Sequence, residues 1–432
     1  MKSLMDLLEE SKEQVGSRLD QIIAELCPDG VEYKRFSDCA AYIRGVVYNK
    51  SSEINNGERN GHKVLRANNI TLHSNILNFE DIKIISRDVK ISDKQKLKKH
   101  DILICAGSGS KEHIGKVAYI FDEIDYTFGG FMGVIRTTNK INPRFLFHVL
   151  TSNIFLNYLK KALNSSTINN LNSTIMNSFY VPLPPLPVQQ EIVRILDTFT
   201  DLEAELEAEL EAELEARKKQ YEYYRVNLLS FDNNTGVVRI KDICSKISSG
   251  GTPLKSKNSY YNNGTIPWLR TQEIIFNNIY KTDKFITEEG LKNSSAKYIP
   301  ENCVIVAISG ATAGRCAVNK IPLTTNQHCC NLEIDDNKAL YRYVFHWISC
   351  QYEELKSLGQ GARSDLNVGI ISDYPIPVPP LSEQQRIVDI LDRFDALCNE
   401  LTSDLQTEIA ARRRQYEYYR DKLLTFKEKS HE

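Results

Sequence analysis

Ile192, Ile195, Leu196, Phe199 and Leu202 recur at the three- and four-residue spacing of one helix face, and Leu206, Leu210 and Leu214 carry that stripe onward. No Gly or Pro interrupts Val188–Leu229, so the pattern predicts a single helix of about 60 Å. A second stretch begins at Ser382, with Gln385 three residues on in the pattern of a capping box. It offers Leu397, Leu401, Leu405 and Ile409. Neither stripe can be buried by one helix alone, which predicts that the two helices pack together. The chain must run out along one helix and return to start the other, which favours an antiparallel pair. A spacing of four drifts around a helix of 3.6 residues per turn, so no long regular left-handed coil is expected.

The two stretches are copies. Val181–Phe231 and Ile376–Phe426 align at a constant offset without a gap, and Gln220–Arg225 and Gln415–Arg420 share the sequence QYEYYR. The intervening regions repeat more weakly and in the same order. VLRANNI (Val64–Ile70) matches WLRTQEI (Trp268–Ile274), DILICAGSGS (Asp101–Ser110) matches CVIVAISGAT (Cys303–Thr312), and TINNLN (Thr167–Asn172) matches ARSDLN (Ala362–Asn367). FHVLTS (Phe147–Ser152) matches FHWISC (Phe345–Cys350), and short β-rich runs such as HKVLRANNI, HDILICAG, KVAYIF and FMGVIR fill the first region. Asn142–Leu163 reads as helix, Val181–Pro187 as a stiff extended approach to the long helix, and Asp232–Gly236 as the turn that ends it. Apolar residues of Met1–Leu26 also follow helical spacing until Cys27–Gly30 stops them. The fold class expected is α+β: two β-rich domains separated by two long, paired antiparallel spacer helices, with pseudo-two-fold internal duplication. The expected boundaries are 1–26 for an N-terminal helix, 27–180 for the first domain and 181–231 for the first long helix. A second domain follows over 232–375, then the second helical region over 376–432.

Net charge is −2, yet its distribution is uneven. Val31–Tyr180 holds 21 Lys and Arg against 13 Asp and Glu, and Val237–Pro375 holds 16 against 13. The acid is concentrated between them, above all in the repeat LEAELEAELEAELEA (Leu202–Ala216). Phosphate attraction needs only local positive charge, so nucleic acid stays open as a partner. No run of apolar residues is long enough to cross a membrane, and the N-terminus lacks a signal-peptide pattern, which makes the cytoplasm the expected location. Ten cysteines occur without C-x-x-C spacing and read as reduced, partly buried thiols rather than zinc ligands.

Catalytic motifs are missing. There is no Asn/Asp-Pro-Pro-Tyr/Phe motif of an adenine methyltransferase. FGGFMG (Phe128–Gly133) reads as strand and turn, and KEHIGK (Lys111–Lys116) lacks the first Gly and the Ser/Thr of a phosphate loop. His62, His73, His100 and His113 have no metal spacing. His148 and His346 occupy equivalent apolar helix positions and read as core.

Several segments together resemble the specificity subunit of type I restriction–modification enzymes. They are PLPPL…QQEIVRILDTF with PVPPL…EQQRIVDILDRF, RKKQYEYYRVNLLSF with RRRQYEYYRDKLLTF, the opening ELCPDGVEY (Glu25–Tyr33) and the acidic repeat tract. The resemblance covers nearly the whole chain. It implies two target-recognition domains, each reading half of an asymmetric, split DNA site, and spacer helices that set the gap. It implies two modification subunits docked on those helices, carrying S-adenosylmethionine and methylating adenine. Two restriction subunits would add ATP- and Mg-dependent translocation and cleavage. This chain itself is expected to be non-catalytic, with no cofactor, no metal and no membrane partner. A coiled-coil scaffold with two ligand-binding domains is the alternative.

Base edges and phosphates are met by Arg, Lys, Asn, Gln and Thr. The candidates are Arg44, Lys50, Lys63, Arg66, Asn68, Asn69 and Lys111 in the first domain. In the second they are Lys255, Lys257, Arg270, Thr271, Gln272, Arg315 and Arg363. For subunit docking they are Gln189, Gln190, Tyr221, Tyr224, Gln384, Gln385, Tyr416 and Tyr419, because they are polar or aromatic and matched between the repeats.

Overall fold

The computed structural model describes residues 18–54, 61–71, 74–109, 113–164, 170–232, 235–359 and 365–429. Two long helices run over Leu186–Leu228 and Leu381–Leu424. Each begins earlier than its apolar pattern. Pro187 sits in the first turn, where its missing N–H costs nothing, and Val188 N and Gln189 N already donate to Pro185 O at 2.9 and 3.2 Å. The extended approach therefore ends before Leu186. In the second helix Glu383 N and Gln384 N donate to Pro380 O at 2.9 and 3.0 Å. Ser382 thus lies inside the helix rather than capping it, and Gln385 donates to Asp389 Oδ1 at 2.8 Å instead.

The chain divides into two units, Met1–Ala208 with Thr407–Glu432 and Glu209–Gln406, so the division cuts both long helices. Each unit holds one β-rich body and a stretch of each helix. In the first unit the Phe199 and Tyr419 rings stack with centroids 6.1 Å apart. In the second, Phe394 stacks on Tyr221 and Tyr224 at 6.2 and 5.1 Å. Early residues of one helix meet late residues of the other, so the pairing inside each unit is antiparallel. Ile192, Ile195 and Leu196 are buried as the pattern predicts, but Leu397 is 51% exposed and Cys398 takes the inward place. The four-residue spacing has turned that end of the stripe away.

The first body contains two four-stranded sheets. One orders Ala40–Arg44, Met132–Thr137, Ile102–Cys105 and Val117–Tyr119, all antiparallel. The other places Gly61–Leu65 between Lys83–Ser86 and Thr127–Phe128, the last pair parallel. The second body repeats this with Cys244–Ser249, Cys329–Ile334, Val304–Ala307 and Cys316–Asn319 in one sheet, and with Ile266–Leu269 beside Leu323–Thr325 in the other. A two-stranded stem closes each body, Tyr33–Arg35 with Tyr180–Pro182 and Val237–Arg239 with Pro375–Pro377. The expected helix Asn142–Leu163 is two helices, Pro143–Thr151 and Asn153–Asn164, broken where buried Ser152 is extended and its hydroxyl donates to Val149 O at 2.6 Å. In the first unit Val31 meets the segment after the second long helix: Val31 N donates to Lys427 O at 2.8 Å and Lys429 N to Val31 O at 3.0 Å. Among the described residues no helix is long and apolar enough to cross a membrane.

Candidate nucleic-acid interface

In each body a strand runs into a short 3-10 turn, Gly61–Leu65 into Ala67–Asn69 and Ile266–Leu269 into Thr271–Glu273. The residue before each turn is an arginine. Arg66 N donates to Asn69 Oδ1 at 2.8 Å, and Arg270 N donates to Glu273 Oε1 at 3.1 Å. These braces hold the backbone at the two arginines in the same way. Arg66 Nη2 donates to Asp81 Oδ2 at 2.8 Å, and Asn68 Nδ2 reaches the same oxygen at 3.1 Å. Arg270 lies 3.7 Å from Glu273. In both arginines Nε is buried and makes no hydrogen bond among the described residues.

Asn69 is a different case. It is 1% exposed, and its amide also donates to Asn78 O at 2.9 Å, so it builds the turn and cannot reach a base. Lys116 helps it from below, with Nζ donating to Ile70 O at 2.7 Å; burial lowers its pKa. Sequence reading missed Lys116, whose one signal is a lysine at the head of the buried run KVAYIF. Arg44 is likewise committed internally: its guanidinium donates to Tyr42 Oη, Asn170 Oδ1, Leu171 O and Gly130 O at 2.7–3.1 Å. Lys50 and Lys63 are exposed, and Lys63 Nζ lies 5.2 Å from the Tyr126 ring centre.

In the second body Lys255, Arg270 and Gln272 line one cleft of about 660 Å³, together with Lys284, Asn262, Asn263, Asn326 and Gln327. Sequence reading did not anticipate Lys284 or these amides, because only the folded sheet brings them beside Arg270. Lys257 donates to Tyr260 Oη at 3.1 Å, the Thr271 carbonyl accepts from Thr312 Oγ1 at 3.0 Å, and Arg315 is half-buried. Lys111 and Arg363 lie outside the described residues.

The matched glutamines correct the docking expectation. Gln189 and Gln384 are fully buried. Gln189 Oε1 accepts from Asn142 N at 2.7 Å while its amide donates to Pro184 O at 2.7 Å; Gln384 repeats this with Leu340 N and Pro379 O, both at 2.9 Å. The repeats share these residues because each ties the head of a long helix to the loop before a short one. Gln189→Ala is expected to cost about 2 kcal/mol in urea unfolding, since it strands buried backbone groups; a cost near zero would show that water replaces the amide. Gln190 and Gln385 are exposed.

The tyrosines divide in the same way. Tyr416 Oη lies 3.3 Å from His148 Nδ1, and Tyr221 Oη lies 3.4 Å from His346 Nδ1. Tyr224 and Tyr419 stack on Phe394 and Phe199 across the helix pair. These four contribute to the units themselves. The middle tyrosine of QYEYYR, which sequence reading passed over, points outward: Tyr223 is 66% exposed and Tyr418 63%.

His148 and His346 are buried as expected, but in a polar clamp. His148 Nε2 lies 2.8 Å from Asp197 Oδ1, which also accepts from Arg144 Nε at 2.9 Å. His346 Nε2 lies 2.7 Å from Asp392 Oδ1, which accepts from Arg342 Nε at 2.9 Å. Burial lowers both histidine pKa values, so the rings are neutral, with Nε2–H donating to the carboxylate and Nδ1 accepting from the tyrosine. Each clamp joins a short helix of the body to both long helices within its unit.

Two like frames, each with a braced arginine, on one pair of helix sequences define a duplicated recognition protein. The chain belongs to the family described as Type I restriction modification DNA specificity domain, whose model matches residues 28–216 and 233–411. It is 39% identical over 252 residues to the EcoR124I/EcoR124II specificity subunit of Escherichia coli, a match covering 57% of this chain and 61% of that relative. It is 33% identical over 305 residues to a type I restriction enzyme specificity subunit of Haemophilus influenzae, covering 68% and 74%. Among solved structures, the HsdS subunit from Thermoanaerobacter tengcongensis shares the fold at 16% identity and TM-score 0.50, covering 93% of this chain and 95% of that one. A chain from a study of assembly and conformational transition of the type I R-M system does so at TM-score 0.69 and 16% identity, covering 91% and 97%.

Proposed function

We propose that this chain is the DNA sequence-recognition subunit of a type I restriction–modification complex, with no chemistry of its own. The observation that carries this is the duplicated specificity domain, in which the same turn presents Arg66 in one unit and Arg270 in the other. Each body reads one half of an asymmetric, two-part site in double-stranded DNA, and the long helices set the gap. Two modification subunits, holding S-adenosylmethionine, dock on the helices; two restriction subunits, working with ATP and Mg, complete the assembly in the cytoplasm.

Co-expression with a modification subunit, followed by mapping of methylated adenines across the host genome, tests the reading. It predicts one asymmetric motif in two parts with a fixed unspecified gap. A stable complex that leaves no such motif would reject it. Arg66→Ala is expected to relax one half-site alone, by on the order of tenfold in base discrimination; equal loss at both halves would place Arg66 on phosphate or in folding. For docking, the more exposed pair Tyr223 and Tyr418 replaces the tyrosines that contact residues within each unit. Tyr223→Ala with Tyr418→Ala is expected to weaken capture of the modification subunit at least tenfold, as central exposed tyrosines do at interfaces. Unchanged affinity in a titration would move the docking surface elsewhere.

A further inference from the structure

The two bodies place chemically opposite residues at the same four positions. Strand register sets the equivalence: Arg44 pairs with Gly133 and Ser249 with Cys330, while Leu65 pairs with Phe128 and Leu269 with Thr325. The loops that follow are built alike. Arg44 Nη2 donates to Gly130 O at 2.7 Å, and Ser249 Oγ donates to the equivalent Gln327 O at 3.0 Å. A Cβ on Gly45 would lie 2.1 Å from Gly129 O, and one on Gly250 2.0 Å from Thr325 O, so both backbones pass too closely for any other residue.

On this shared frame the first body carries Val47, Gly107, Gly130 and Phe131, and the second carries Thr252, Ser309, Gln327 and His328. Val47 is 87% exposed and Phe131 71%, the two highest values among the exposed large apolar residues described. The Gly107 α-carbon faces the Phe131 ring, with Cδ1 3.1 Å from where a Cβ would stand. The second tip is a hydrogen-bonded chain. Thr252 Oγ1 donates to Gln327 Oε1, Gln327 Nε2 lies 3.1 Å from His328 Nε2, and His328 Nδ1 lies 2.6 Å from Ser309 Oγ. That chain fixes the amide and leaves Gln327 one N–H and one oxygen lone pair for a ligand.

We propose that these tips are the specificity-determining base contacts, the first reading a thymine methyl through Val47 and Phe131 and the second reading an adenine through Gln327. The proposal rests on the DNA-reading function above. An exposed Val and Phe make no hydrogen bonds, and the C5-methyl of thymine is the one apolar feature that a major groove presents. The Arg66 side chain flanks this tip, its Cγ 3.9 Å from a Cβ placed on Gly129. A glutamine amide held in one orientation presents a donor and an acceptor, the pattern that matches adenine N7 and N6.

The test uses the purified complex of this chain with its modification subunit and duplexes carrying the mapped site. Replacing the contacted thymine by deoxyuridine removes only the methyl. The wild type should methylate that duplex about fourfold more slowly, the weight of one buried methyl. Phe131→Ala with Val47→Ala should be slow on both duplexes and no longer distinguish them, while Phe131→Leu should keep the difference. In parallel, Gln327→Ala should lose its preference for adenine at one position of the other half-site only. A first half-site without thymine, or wild-type rates blind to deoxyuridine at every thymine, overturns the inference while the two-part motif stands. Absence of any two-part motif removes the DNA reading and this inference together. Because Val47, Phe131 and Gln327 are exposed, melting temperatures should stay within a few degrees; variants that keep them and still show the wild-type thymine and adenine preferences also overturn it.

Discussion

Deleting Leu206–Glu209, one Leu-Glu-Ala-Glu unit of the first long helix, is expected to abolish methylation of the original target and create a new one. The new site should have both half-sites unchanged and a gap shorter by about one to two base pairs. Four residues remove about 6 Å of helix, against about 3.4 Å per base pair of DNA. Four residues are also close to one helical turn, so the leucine stripe stays within about 40° of its former phase. The tract tolerates this because none of its residues is fully buried; Leu202, Leu206, Leu210 and Leu214 are half-covered and most of its other residues are exposed. Changing its length therefore removes no core contact. Methylome mapping of the deletion variant decides the matter, and an unaltered gap would show that the spacing is set elsewhere.

Asp392→Ala is expected to destabilise the second unit by about 3 kcal/mol, measured by urea unfolding. Its loss leaves Arg342, whose side chain is 10% exposed, with only Asp395 and Asn278 as polar partners among the described residues, and removes the acceptor of His346 Nε2, which is fully buried. Breaking a buried pair usually costs 3–5 kcal/mol, and the low end applies because the carboxylate is 38% exposed. Burial works to raise the Asp392 pKa, but hydrogen bonds from His346 and Arg342 outweigh it and hold the group at about 2. Asp392 therefore contributes stability that is present above about pH 4, its unfolded value, and lost as pH falls through about 2. Asp395, 3.6 Å from Arg342 and pushed up by burial, offsets part of that acid loss. The histidines act earlier. Their folded pKa values are lowered, so below about pH 6.5 the unfolded chain takes up protons that the folded one refuses. Stability should be flat from pH 8 to 7 and should decline from 6.5 to 5. A double variant, His148→Gln with His346→Gln, should be less stable at pH 7 and lose most of that slope. A slope that persists would assign the acid sensitivity to other groups.

Much of this architecture was legible in the chain. Exact offset and helical spacing announced the duplicated helices, and Ile192, Ile195 and Leu196 are buried where the periodicity placed them. The helix starts were misjudged because a proline in the first turn reads as a breaker although it needs no N–H there. The site was harder. Asn69 and Arg44 have the side chains of base readers, yet the turn and the loop consume them. Gln189 and Gln384 were matched between repeats for a reason that identity alone does not reveal: a buried amide must satisfy its own hydrogen bonds and those of its neighbours. Tyr223 and Tyr418 stood in the same identical hexapeptide as the tyrosines that contact His346, His148, Phe394 and Phe199, and only helix phase separates them.

The sequence by itself determined that two related β-rich bodies sit on two copies of one long helix, because periodicity, repeat offset and the absence of helix breakers are local properties written in order along the chain. It also determined the family. Tertiary structure decided which polar side chains are free to meet a partner. Burial and hydrogen bonding depend on neighbours far away in sequence: Tyr416 on His148, Asp392 on Arg342, Phe131 beside Gly107. No spacing rule contains those distances, and they make one arginine a brace, set another at the head of a turn, and make two matching loops opposite in chemistry.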